Sequence, residues 1–158
     1  MSEQDSLRRD RKERVQAAIS LVKLGKVVDA ADTVSLFEAV IRPGDKVNIE
    51  GNNQKQADFL AKQLCQVDPH ILHDLHIVQS AIALDSHLDL FETGIASKVD
   101  FSFAGPQAAR LAQMVKADKI QLGSIHTYLE LYARYFVDLT PRVAMVAAIA
   151  TRGVRSTK

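Results

Sequence analysis

At 158 residues, 47% of them hydrophobic, the chain has the length and apolar content of one ordinary globular domain with a proper core. Its formal net charge of +1 gives no global reason to expect nucleic acid or an anionic membrane as partner. A single cysteine, Cys65, excludes an intrachain disulfide framework and a cysteine-only zinc site, and no apolar run approaches the roughly 20 residues of a membrane helix.

The N-terminus is charged and lacks the apolar core of a signal peptide, so a reducing cytoplasm fits best. Residues 1–24 read as a helix: Val15, Ala18, Ile19 and Val22 fall at i, i+3, i+4 and i+7, and Gly25 supplies a stop. Arg8, Arg9, Arg11, Lys12 and Arg14 are interleaved with Asp5, Asp10 and Glu13. Mixed charge without aromatics reads as a solvated helix face rather than a nucleic-acid arm. Leu36, Phe37, Val40 and Ile41 mark a second short helix, broken by Arg42-Pro43-Gly44-Asp45.

From there the pattern alternates. Strands are expected over 46–50, 74–79, 99–103, 120–124 and 143–148, and helices over 54–67, 87–93, 106–117 and 127–137. Helix 54–67 repeats Ala57, Leu60, Leu64 and Val67 on one face. Helix 106–117 opens on Pro106 and aligns Ala108, Leu111, Ala112 and Val115. Helix 127–137 carries Tyr128, Leu131, Tyr132 and Tyr135 at helical spacing, with Leu129 and Phe136 elsewhere, so it is apolar on more than one side. Strand–helix–strand alternation with short links specifies an α/β fold, a mostly parallel sheet with helices on both faces. The chain then divides into a helical segment (1–45), an α/β domain (46–150) and a basic tail (151–158). Strand 143–148 is apolar enough for the middle of the sheet, and the short tail offers nothing to cover it, so the domain reads as incomplete.

The junction around Gly51 is the main candidate site. Strand 46–50 runs into Gly51-Asn52-Asn53-Gln54 and then a helix, leaving backbone N–H groups unpaired at the helix start. Glycine permits close backbone approach there, and the geometry suits an acid, phosphate or thioester oxygen; the plain alternative is a tight turn without ligand. Glu50 is the carboxylate beside the loop. Gln79 and Ser80 end the second strand and His126 follows the fourth, all at strand C-termini, where open α/β sheets place ligands. His73 and His76, three apart on a strand, point to opposite faces and do not share a metal. Cys65 sits in a helical apolar pattern and reads as a structural thiol. No Gly-x-Ser-x-Gly, Walker loop or dinucleotide fingerprint occurs, so hydrolase, ATPase and dehydrogenase readings rank low.

Longer words narrow the choice. Pro43-Gly44-Asp45-Lys46-Val47, Glu50-Gly51-Asn52-Asn53-Gln54-Lys55-Gln56-Ala57-Asp58-Phe59-Leu60 and His73-Asp74-Leu75-His76 resemble the α subunit of malonate decarboxylases. So do Asp100-Phe101-Ser102-Phe103, Gly105-Pro106-Gln107-Ala108-Ala109-Arg110, Ile125-His126-Thr127-Tyr128-Leu129-Glu130-Leu131 and Arg134-Tyr135-Phe136-Val137-Asp138-Leu139-Thr140-Pro141. The resemblance runs from about Leu7 to Ala148. It departs at Thr151-Arg152-Gly153-Val154, where the family would continue through a Gly-Asn-Leu-Tyr type segment.

The resemblance implies the N-terminal half of a coenzyme A transferase-like fold, in which two related α/β halves flank the active site. It also implies acyl-carrier-protein transfer: acetate leaves acetyl-carrier and malonate is loaded. Implied partners are the acyl carrier protein, malonate and acetate, and the other decarboxylase subunits, with no nucleic acid and no membrane. A homo-oligomer stays open. The carrier's phosphoribosyl-dephospho-coenzyme A arm would be a substrate group, and no cofactor or metal is expected on this chain itself.

Acyl exchange passes through oxyanions, for which backbone N–H groups of Asn52, Asn53 and Gln54 are the expected donors. The Asn52 or Asn53 side-chain amides are the expected holders of the malonate carboxylate. The resemblance puts the nucleophilic glutamate in the family's second half, outside this chain; Glu50 is the local alternative. The rival readings are a catalytically inactive subunit that only docks with partners, a sugar-phosphate-binding relative of the same fold, and a citrate lyase-like acceptor.

Overall fold

The structure, a computed structural model, describes residues 3–51 and 57–146. Its centre is a five-stranded parallel sheet: β1 (Lys46–Ile49), β2 (Leu75–Ala81), β3 (Ala96–Phe103), β4 (Gln121–Ser124) and β5 (Val143–Met145), in the order β4-β3-β2-β1-β5. Helices α1 (Glu3–Ala18) and α2 (Thr33–Val40) precede it. Helices α3 (Asp58–Leu64), α4 (Asp85–Glu92), α5 (Ala108–Lys116) and α6 (Tyr128–Val137) connect successive strands.

The expected α/β alternation is present, with bounds shifted for local reasons. Asp74 takes a left-handed φ of 57°, which ends any extended run, so β2 starts at Leu75. Strand β3 begins three residues earlier than expected, at Ala96, which pairs with Leu75. In the first helix, α geometry stops at Ala18. A 3-10 turn over Ile19–Leu21 follows, and Leu24 and Gly25 turn the chain so that Lys23 bridges Val27. Residues 19–24 are therefore not α-helical, a correction to the reading of one helix over 1–24. Helix 54–67 is found as Asp58–Leu64, with residues 54–56 outside the described set.

Strand β5, expected from its apolar sequence to be a central strand of a sheet that the chain leaves incomplete, pairs with β1 alone among the described residues: Val47 opposite Val143, Ile49 opposite Met145. In the order of the described strands β4 and β5 stand at the two ends, so α6 crosses the sheet between them and brings β5 beside β1.

The two faces differ. On one, Phe37 and Ile41, Leu64, Leu88 and Phe91, and Leu111 and Met114 bring α2 to α5 down onto Val47, Ile49, Ile77 and Val99. Every one of these is under a tenth exposed. On the other face, only α6 lies over the strands, through Leu131, Tyr135 and the following Leu139, which meet Val78 and Ile125.

Helix α1 docks on α2 by charge more than by its expected apolar stripe, for Val15 and Ile19 are mostly exposed. Arg14 holds Asp45 through both guanidinium Nη atoms, donates to the Val40 carbonyl at 2.9 Å and to Asp10 at 2.8 Å. Its hydrogen bond keeps the Asp10 carboxyl below the ordinary aspartate range. Arg14 thus leaves the solvated basic set.

Candidate functional site

A cleft of about 310 Å³ opens at the C-terminal ends of β1 and β2, beneath α6. Its position follows from topology. The chain leaves β1 toward β2 on one side, while β5 pairs with β1 on the other, so the direction of winding reverses at β1. Parallel sheets leave a crevice at such a switch point, because consecutive connections depart to opposite faces.

Three interactions build the floor. The Gly51 carbonyl accepts the Ala81 N–H at 2.9 Å and the Ser80 hydroxyl. The Ala57 N–H donates to the Glu50 carbonyl at 3.0 Å, holding the residue before α3 against the end of β1. A Cβ on residue 51 would lie 2.5 Å from both the Ala81 carbonyl oxygen and the Gln79 amide nitrogen. Only glycine lets the strand end approach β2 this closely.

Glu50, Gly51, Gln79 and Ser80 therefore border one cleft. They differ in orientation, since neighbouring strand residues face opposite ways. Gln79, 2% exposed, turns its side-chain amide to His87 Nδ1 of α4 at 2.7 Å, on the face away from α6. Burial pushes the His87 imidazole down to about 4, so it is neutral and can accept there. Among the described residues its Nε2 and the neighbouring Ser86 hydroxyl find no hydrogen-bond partner.

His126 does not border the cleft. It is exposed, and its Nδ1 and backbone N–H both meet Glu130. Thr127 caps α6 by accepting the Glu130 N–H at 3.0 Å. Asn52, Asn53 and Gln54 lie outside the described residues.

Sequence reasoning passed over Asn48 and Tyr135, which line the cleft, and a buried network next to it. Asn48 Nδ2 donates to the Tyr135 hydroxyl oxygen across 87 residues of chain. One residue earlier, Arg134 Nη1 donates to Asp100 Oδ1 at 2.9 Å and to the Ser124 carbonyl at 2.8 Å. His76 Nε2 meets the other Asp100 oxygen at 2.6 Å. The Asp100 side chain is 0% exposed. It packs so tightly under β4 that a Cβ on Gly123 would fall 2.0 Å from it. Burial pushes the His76 imidazole below its ordinary value against the raising pull of Asp100. No single-sequence signal distinguishes these residues, because alternating polar positions on a strand read as solvent-facing.

His73 engages Asp74 at 2.8 Å, and His76 engages Asp100, so the two histidines have separate partners. Cys65 is partly buried, and desolvation pushes its thiol up to about 11, the protonated and unreactive state. Among the described residues no three His, Cys, Asp or Glu side chains converge as metal ligands, and no helix is long and apolar enough to cross a membrane.

A parallel five-stranded sheet with helices on both faces and a switch-point cleft defines an α/β domain of the doubly wound class. The family can be stated. Residues 4–154 match the profile described as "Malonate decarboxylase, alpha subunit, transporter", and the chain belongs to that family. Over 144 residues it is 54% identical to the acetyl-S-ACP:malonate ACP transferase of Malonomonas rubra, covering 91% of this chain and 26% of the relative. The malonate decarboxylase alpha subunit of Acinetobacter baumannii superposes with a TM-score of 0.84 at 47% identity, over 88% of this chain and 26% of that one. A chain of a Pseudomonas malonate decarboxylase hetero-tetramer, solved with malonate, gives 0.85 at 48% identity, over 91% and 26%. The chain spans about a quarter of the length of these relatives.

Proposed function

We propose that this chain provides the acyl-thioester-binding part of an acetyl-acyl-carrier-protein:malonate acyl-carrier-protein transferase. The observation that carries the reading is the switch-point cleft bordered by Glu50, Gly51 and Ser80, in a chain 54% identical to a transferase of that name. The exchange needs a site that holds a thioester carbonyl while a carboxylate displaces the thiol, with fixed donors where negative charge develops. The Gly51 loop, continuing through Asn52, Asn53 and Gln54, is the proposed donor segment. Glu50 remains the candidate beside it, and His126, outside the cleft, remains a candidate for contacting the carrier.

The carrier's phosphoribosyl-dephospho-coenzyme A arm is the proposed substrate group, and the acyl carrier protein and other decarboxylase subunits are the proposed partners, in the cytoplasm. The test is acyl exchange from acetyl-carrier protein to labelled malonate with this chain as sole enzyme, repeated with the remaining three quarters of the family's chain added. Turnover in either arrangement supports the reading; silence in both, with a folded chain, refutes it.

One observation favours a second, docking role. On α6, Leu129, Tyr132, Phe136 and Val137 are all more than two-thirds exposed. Such a patch on one helix marks a contact surface. Exchange silence combined with pull-down of partner subunits would establish docking as the chain's role.

A further inference from the structure

We propose that Lys46, His76 and Lys98 form a second binding site, for the phosphate group of a small ligand, at the end of the sheet opposite the switch-point cleft. This site does not depend on the transferase reading.

Strand register brings the three side chains together. Lys46 of β1 stands opposite His76 of β2, and His76 stands opposite Lys98 of β3. Their neighbours Val47, Ile77 and Val99 belong to the apolar core, so these three side chains point to the α6 side. The histidine is thus flanked by a lysine on each side at the spacing of adjacent strands, about 5 Å. Flexible four-carbon stems let both ammoniums meet an oxyanion seated over the imidazole. Lys46 opens β1, about 13 Å along the strand from Glu50 at the cleft.

The row carries charge without counter-charge. Lys46 and Lys98 are half-buried, yet among the described residues neither makes a hydrogen bond or an ion pair. Lysines drawn away from water are ordinarily paired. The two nearby carboxylates are already engaged. Asp100 meets His76 Nε2 at 2.6 Å and Arg134 Nη1 at 2.9 Å, and Asp138 accepts from Arg134 Nη2 at 2.7 Å. Residues 1–2, 52–56 and 147–158, which lie outside the described residues, include no aspartate or glutamate. Arg142, whose N–H donates to the Lys46 carbonyl at 2.8 Å, continues the row in register beyond Lys46.

The charges converge on His76. Burial pushes its imidazole below the ordinary value, Asp100 pulls it up, and the Lys98 and Lys46 ammoniums push it down again. From α6 the facing charges are Arg134 and Asp138, bonded to each other. Asp100 takes Nε2, so Nδ1 is the nitrogen left for a ligand. A bound dianion offsets both ammoniums and favours a proton on Nδ1, taken from solvent, which then donates to a phosphate oxygen. Binding therefore strengthens as pH falls through the histidine range.

The experiment titrates the 158-residue chain at low ionic strength with inorganic phosphate. Sulfate, which keeps its two charges, is titrated from pH about 7.5 down to about 5.5, and sodium chloride at matched ionic strength is the control. Binding and the protonation of His76 are read from its ring NMR shifts. Saturable binding is expected, with the His76 titration moved to higher pH by sulfate and not by chloride. Lys46→Met and Lys98→Met should each weaken binding roughly three- to tenfold, the worth of a charge-assisted hydrogen bond discounted for exposure. Lys116→Met, on α5 over the other face, should leave it unchanged. His76→Gln should bind sulfate with an affinity independent of pH.

A response no different from that to chloride would overturn the site. So would saturable binding that survives intact in folded Lys46→Met and Lys98→Met, or that Lys116→Met weakens equally. Sulfate affinity of the wild type that does not change with pH would overturn the part given to His76.

Discussion

The two faces of the sheet are built on opposite principles. Beneath α2 to α5 the strands present Val47, Ile49, Ile77 and Val99, packed by leucines and phenylalanines into one continuous core. Beneath α6 the same strands also present Asn48, His76 and Asp100, and a single helix is held there by hydrogen bonds as well as by a small apolar cluster. The alternation of side chains along each strand makes this possible, since one strand can feed an apolar core and a polar site at once. The first face supplies stability without orientation. The second supplies orientation, because hydrogen bonds are directional and a ligand oxygen can take the place of water among them. That the cleft lies on the second face is consistent with this division.

The division can be broken from either side. The largest effect is expected from Asp100→Ala. It strands the Arg134 guanidinium and His76 beside a buried void, and breaking a buried pair typically costs about 3–5 kcal/mol. Chemical denaturation should show the loss together with weakened docking of α6; a change below about 1 kcal/mol would mean the network does not hold the helix. Leu88→Ala on the opposite face should cost about 2–4 kcal/mol through a cavity while leaving thioester affinity unchanged. Altered affinity in that variant would deny the independence of the two faces.

A third prediction concerns pH. His87 is buried on the apolar side with its value lowered to about 4, so it binds a proton in the unfolded chain before the folded one. Its contribution is complete above the ordinary histidine value near 6.5 and is lost as pH falls from there to about 4, a total of about 3 kcal/mol. His76, also lowered, acts in the same direction. Stability measured against pH should fall over that window, and His87→Gln should make the fall shallower. A slope unaffected by His87→Gln would contradict the assignment. The smallest effect is expected at Phe136, 87% exposed: Phe136→Ser should change stability by no more than about 0.5 kcal/mol and improve solubility. A loss above 1 kcal/mol would show that the exposed side of α6 is packed.

Much of this was legible in the sequence, for identifiable reasons. All five strands and the helices between them follow from hydrophobic period, which backbone geometry imposes locally. What period cannot report is pairing. The apolar run at Val143 reads as a buried strand, but that it pairs with β1 depends on α6 crossing the sheet, a long-range fact. Period also misses single backbone exceptions such as Asp74 at φ 57°. In the site, Glu50, Gly51, Gln79 and Ser80 were reachable because a strand's C-terminal end can be located from sequence. Asn48 and Tyr135 were not, since a strand asparagine and a helical tyrosine acquire meaning only when 87 residues of chain bring them together. Asp100 hides in the same way, because burial of a carboxylate is decided by Gly123 and Arg134, neither of them near it in sequence.

The central claim is that ligand recognition belongs to the polar face alone. Amide and methyl NMR shifts of the labelled chain during titration with acetyl-coenzyme A test it most directly. The account predicts perturbations at Asn48 to Gly51, Ser80 and Tyr135, with Leu88, Leu111 and Met114 unmoved. Perturbations centred on those core residues of α4 and α5, or none anywhere at saturating ligand, would contradict it.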